Sequence, residues 1–209
     1  MVSHVESDFA RSIRQIERRY LIGVAGATEV LLIRHGDIYQ GQPGGEDPQL
    51  SPLGRDQAAK LAARLRPLSV AAVYTSPLRR AMETARAIDP DFIVEPRLVE
   101  AETAVGERSH VKVSEPGKAI VERMAAAVDG AIEAHAGRRV VMIGHGVAIL
   151  HYLSHVMRLD YDQLRIYPYF TGINVVRALG DRRMVGSLGD IAHLEPEHAI
   201  APESVTKGP

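Results

Sequence analysis

Hydrophobic positions along this chain fall into two patterns, short unbroken apolar runs and stripes that recur every three or four residues. The runs Val30-Leu31-Leu32-Ile33 and Val140-Val141-Met142-Ile143 are too short to span a membrane. They are continuous where a strand with one wet face would alternate, so both predict strands covered on two faces, as in a parallel sheet. Residues 70–74 and 92–94 read as two further short strands. Helical stripes lie between the runs. Ser51 caps and Pro52 opens a helix whose apolar positions continue to Leu65, and Thr75-Ser76-Pro77 is expected to cap a second that carries Leu78-Arg79-Arg80-Ala81-Met82-Glu83-Thr84-Ala85. Ile120, Met124, Val128 and Ile132 mark a third helix over residues 119–136, ended by Gly137, and residues 147–157 make a fourth. Segments 174–179 and 184–188 around Gly180-Asp181 read as a hairpin, while 101–117 has no clear period. Alternation of strand and helix predicts an α/β fold with a mostly parallel central sheet.

The two ends and one loop complete the pattern. Ser3-His4-Val5-Glu6 has capping-box spacing, and Phe9, Ile13, Ile16 and Tyr20 then recur at helical intervals among charged residues. This predicts an amphipathic helix of about four turns, expected to pack on its own domain, with a homodimer contact as the alternative. Residues 37–49, rich in Gly, Pro, Asp and Gln, form a loop, and the Pro-containing stretch 195–209 reads as a loosely held tail. The expected organisation is an N-terminal helical extension over 1–28, one catalytic domain over 29–194, and that tail.

Composition narrows the chemistry. The 209 residues suffice for one substantial core, and 45% hydrophobic with 24% charged residues is the balance of a globular protein. A formal net charge of -1 gives no electrostatic case for nucleic acid or an anionic membrane, so any anion must be held by a local cluster. The absence of cysteine excludes disulfides, thiolate metal sites and a cysteine nucleophile. The first apolar run, 21–27, contains small residues and leads straight into a strand, so neither a signal peptide nor an anchor is expected and a cytoplasmic location follows.

Chemistry-bearing residues gather where the two long runs end. The first terminates in Arg34-His35-Gly36 and the second in Gly144-His145-Gly146. In open α/β sheets ligands bind beyond the carboxyl ends of the strands. If these two strands are parallel neighbours, His35 and His145 converge on one crevice beside Arg34. Two imidazoles with an arginine point to phosphate chemistry. His151 and His155 share a helix face, but no third ligand accompanies them in an established spacing and no metal is expected; nor does any Walker-type loop support nucleotide binding.

Taken together, these residues resemble the histidine phosphatase superfamily, the phosphoglycerate mutase-like group. The likeness is carried by Arg34-His35-Gly36, Leu50-Ser51-Pro52-Leu53-Gly54 with Gln57-Ala58, Thr75-Ser76-Pro77-Leu78-Arg79-Arg80-Ala81 with Thr84-Ala85, Gly144-His145-Gly146, and the closing stretch from Leu188 to Leu194. The resemblance implies a three-layer α/β/α sandwich and a cofactor-independent phosphomonoesterase acting on a small phosphate ester. His35 would form a phosphohistidine, kept neutral by neighbouring arginines. Arg34 and Arg80 would hold the phosphoryl oxygens, with His145 and the Gly146 N–H as further donors. Arg79, adjacent on the same helix and so about 100° away, would face solvent. Glu100 is the expected proton donor, held protonated near neutrality, with Glu102 the second choice. Phosphoglycerate mutase-type transfer and an inactive phospho-ligand-binding module are the alternatives. Departures from the family pattern at Asp37-Ile38-Tyr39-Gln40 and at 101–106 fall on loops that would touch the substrate.

Overall fold

The computed structural model describes residues 7–39, 47–101, 103–105, 111–163 and 166–194. Strand β1 (Thr28–Arg34) is followed by helix α2 (Pro52–Leu65), β2 (Val70–Thr75), α3 (Arg79–Ile88) and β3 (Ile93–Val94). Then come a hairpin of β4 (Thr103–Val105) and β5 (Val111–Val113), helix α4 (Gly117–Ala134), β6 (Arg139–Gly144), α5 (Gly146–Met157), β7 (Ile173–Leu179) and β8 (Arg182–Asp190). Helix α1 (Asp8–Arg19) precedes them all. The central sheet has the order β3-β2-β6-β1-β7-β8, parallel as far as β1 and antiparallel at β7 and β8.

Strand period two divides the core into the two halves of a three-layer sandwich. Val30, Leu32, Val140 and Met142 point to α4 and α5, where they meet Ile120, Met124, Val128, Ile149 and Leu153. Leu31, Ile33, Val141 and Ile143 point the other way, against Leu61 and Leu65 of α2 and Ala81 and Ala85 of α3. That is why both runs are apolar at every position. Burying each such side chain contributes roughly 1.5–3 kcal/mol. Helix α2 begins as expected: Ser51 accepts from the Gly54 N–H (3.0 Å) and Pro52 opens the first turn.

Four expectations need correction. Ser3 to Glu6 lie outside the described residues, and α1 starts at Asp8 with Ser7 as its cap. This helix does not pack on its own domain as expected: none of its residues is buried, and Phe9, Ile13, Ile16 and Tyr20 are all exposed. An amphipathic stripe records that a surface could be buried, not what covers it. Ser76 is not the N-cap of α3, which is Leu78 with no side-chain bond of its own, but the Ser76 hydroxyl accepts from the Leu78 N–H (3.3 Å). The region 101–117 contains the β4–β5 hairpin, whose three-residue strands are too short for a period to register in sequence. The tail 195–209 lies outside the described residues. No described helix is long and apolar enough to cross a membrane.

Candidate active site

The site stands where the sheet reverses direction. From β1 the chain runs through α2 to β2 on one side, and from β6 it runs through α5 to β7 on the other, so the crevice between β1 and β6 lies at a topological switch point. The two strands are parallel neighbours in register, Ile33 opposite Ile143 and Arg34 opposite Gly144. The ladder continues one step further, the His35 N–H donating to the Gly144 carbonyl (3.0 Å). His35 and His145 therefore leave the sheet at the same level, and their ring centroids are 5.0 Å apart.

His35 is held ready to act through one nitrogen. Its Nδ1 lies 2.7 Å from the Gly36 carbonyl oxygen, which can only accept, so Nδ1 carries the proton and Nε2 keeps its lone pair. The Arg80 Nε–H points at that lone pair from 3.2 Å. At 3% exposure the imidazole is almost sealed, and its pKa is pushed well below the ordinary histidine value. Burial is the main cause and the Arg34 charge comes next, so the arginines expected to keep this ring neutral are the lesser part of the explanation. His145, fully buried, is shifted the same way by burial, then by His35 and the two arginines. Its Nε2 is 2.8 Å from the Ser76 hydroxyl, while Nδ1 is buried without a hydrogen-bond partner among the described residues.

Backbone crowding explains the glycine of the first motif. A Cβ on Gly36 would lie 2.6 Å from the Gly54 carbonyl oxygen, so the exit of β1 and the first turn of α2 pass closer than any side chain allows. The Gly36 N–H donates to Thr84 Oγ1 (3.1 Å), whose hydroxyl donates to the Arg80 carbonyl (2.8 Å). One threonine thus links the nucleophile's loop to the helix that carries Arg80. Asp37, at a departure from the family pattern, is buried and accepts from the Ser51 hydroxyl (2.5 Å), while its N–H donates to Gln57 Oε1 (2.8 Å). It serves the α2 cap.

Two arginines flank the imidazoles. The Arg34 Nη1 donates to the Pro168 carbonyl (2.6 Å), its guanidinium lies 3.9 Å from the Phe170 ring centre, and its Nε is buried without a partner among the described residues. Arg80 Nη1 donates to Asp47 Oδ1 (3.2 Å), and the same carboxylate accepts from the Arg79 N–H (2.8 Å). Arg79 does point outward, but it is not merely solvated. Its side chain holds Glu83 (2.8 Å) and Gln49 (2.7 Å), fastening the loop before α2 to α3. Glu100 is placed at the amino end of α5, where its carboxylate accepts from the N–H groups of Ala101 (2.9 Å) and Ala148 (3.1 Å). Gly146, the first residue of α5, lies against Pro168, whose Cγ would be 3.0 Å from an added Cβ. Glu102 lies outside the described residues. His151 stacks on Tyr161 at 3.9 Å and His155 is exposed; no cluster of three or more metal-binding side chains occurs among the described residues. A cleft of about 650 Å³ opens at the far, amino end of the sheet, but its Arg139 and Arg177 are already paired with Glu29.

Residues 30–113 and 101–191 match the histidine phosphatase superfamily (branch 1). The chain belongs to this family. A protein of Cronobacter sakazakii named a probable phosphoglycerate mutase, GpmB, is 26% identical, the match covering 80% of this chain and 95% of that protein. Among solved structures, Bacillus stearothermophilus YhfR superimposes with a TM-score of 0.67 at 24% identity, over 80% of this chain and all of the other. A phosphoserine phosphatase of Entamoeba histolytica, solved as a mutant in complex with phosphoserine, gives 0.64 at 18%, with the same coverages. At such identities these structures establish the histidine phosphatase fold, and membership of the superfamily makes the protein a phosphatase or phosphotransferase.

Ser76, Thr84, Asp47, Pro168 and Phe170 carried no site role in the sequence reading. Ser76 and Thr84 stood inside a recognised motif, which was the available signal. Asp47 sits in a loop of turn-forming residues, and Pro168 and Phe170 reach Arg34 from far along the chain, Pro168 from 134 positions away; nothing local announces either contact.

Proposed function

We propose that this histidine phosphatase is a phosphomonoesterase that passes the phosphoryl group of a small ester through His35. One observation carries the reading: two buried nitrogens, Arg34 Nε and His145 Nδ1, have no partner among the described residues, and both belong to side chains beside the imidazole whose unprotonated Nε2 meets Arg80. Buried polar groups without partners are costly, and an anion that accepts from donors at this point removes the cost. His35 Nε2 forms a bond to phosphorus while the ester P–O bond breaks. Arg34, Arg80 and His145 hold the equatorial oxygens as charge shifts toward the leaving group. Glu100 gives a proton to the departing alkoxide, for which it must release one of its backbone bonds at α5. Water then attacks phosphorus, Glu100 takes up its proton, the N–P bond breaks, and phosphate leaves with His35 restored.

Mixing the protein with a phosphate ester should produce an acid-labile, alkali-stable phosphorylation on His35 together with free phosphate. In His35→Ala both should fall by at least about a thousandfold. Turnover that persists in that variant refutes the reading. A second reading, suggested by the name of the Cronobacter relative, is transfer between two positions of one substrate. It is tested by incubation with 3-phosphoglycerate: the hydrolase yields phosphate, the mutase an isomer.

A further inference from the structure

The phosphatase reading leaves the leaving group unspecified, and the wall beside His35 bears on it. Residues 166–170 pass beside the site, and Phe170 places its ring there. The Phe170 ring centre lies 5.7 Å from that of His35 and covers the Arg34 guanidinium at 3.9 Å. Tyr167 and Tyr169 meet edge to face at 4.9 Å, and Tyr167 remains 52% exposed. Tyr167 also favours the Arg34 charge, against the lowering that burial imposes.

This strap is built into the nucleophile's own support. Pro168 accepts from Arg34 and packs on Gly146. Immediately beyond the rings, Thr171 adopts the left-handed conformation (φ 54°) and donates its N–H to the Arg34 carbonyl (3.0 Å), while its hydroxyl bonds His193 in the closing segment (3.0 Å). A phosphorus within about 3–3.5 Å of His35 Nε2, as attack requires, shares the neighbourhood of the Phe170 ring, whose centre is 5.7 Å from that of His35. Asp47 is ion-paired with Arg80, and Glu100 accepts from the amino end of α5. An aromatic ring beside the attacked phosphoryl group favours a flat apolar leaving group over a small polar one.

We propose that residues 166–170 form the leaving-group subsite and select phosphomonoesters of aromatic alcohols over small polar esters such as phosphoglycerate and phosphoserine. The inference rests on the phosphomonoesterase reading above. It is tested with 2-phenylethyl phosphate and O-phosphoserine, both esters of primary alcohols, so that intrinsic reactivity is nearly matched. In the wild type kcat/KM should favour the phenyl ester by about tenfold or more, the scale of one to two aromatic contacts. In Phe170→Ala and Tyr167→Ser that ratio should fall to about twofold or less, whatever happens to the absolute rates. The Ki of vanadate, which fills the phosphoryl pocket without a leaving group, should move less than the ratio in Tyr167→Ser. A wild-type preference for phosphoserine, or a ratio unchanged in both variants, overturns the aromatic subsite and leaves the phosphatase standing. No turnover of either ester and no phosphorylation of His35 overturns both.

Discussion

Sealing two neutral imidazoles against two arginines makes the fold itself sensitive to acid. His35 and His145 are 3% and 0% exposed, and each is held well below the ordinary value of 6.5, first by burial and then by surrounding positive charge. Arg34 and Arg80 act on both rings, the His35 ring acts on His145, and Arg123 adds to the effect on His145. In the unfolded chain both titrate near 6.5. Below that pH the unfolded state takes up protons that the folded state refuses, so the stabilisation is complete above about 6.5 and is lost as pH falls toward the depressed folded values. While both rings stay neutral, each costs about 1.4 kcal/mol per pH unit below about 6.5. Between about pH 7 and about pH 5.5 this amounts to about 2.5 kcal/mol for the pair. Urea unfolding of the wild type and of His35→Asn/His145→Asn, at both pH values and constant ionic strength in phosphate-free buffer, isolates the effect. Contributions from other groups, among them His135 and His193, appear in both proteins and cancel in the difference of differences. The variant should lose about 2.5 kcal/mol less than the wild type on acidification. Equal losses would mean that the two rings are not the buried neutral pair described.

Arg80→Ala should lower kcat/KM by about 100-fold or more, because it removes the donor to His35 Nε2, while Arg79→Ala stays within about threefold, since it loses only exposed ties to Glu83 and Gln49; steady-state kinetics on one ester decide it, and equal losses contradict the assignment. Ser76→Ala frees His145 Nε2 and should cost about tenfold in kcat with little change in KM; Ser76→Thr, which restores the hydroxyl, should recover most of it. Thr84→Val strands the Gly36 N–H and should destabilise the protein by about 1–3 kcal/mol in chemical denaturation.

Much of this architecture could be read from order along the chain, and for a definite reason. Val30 to Ile33 and Val140 to Ile143 are apolar at every position because helices cover both faces of the sheet, and such runs, closed by Arg34-His35-Gly36 and Gly144-His145-Gly146, announce strands and their exits together. Ser51-Pro52 marks the start of α2 because capping is a local bond. The sequence therefore determined the α/β alternation, the pair of histidines and the arginine on α3. Only the tertiary structure decided what meets what. Adjacency of β1 and β6 brought two imidazoles from distant parts of the chain to 5.0 Å. Folding turned Ser76 from an expected cap into the partner of His145, left the stripe of α1 without cover, and set Pro168 and Phe170 upon Arg34. Local interactions write themselves into spacing within a few residues, whereas long-range contacts are chosen by how completed elements pack, and no single segment records that choice.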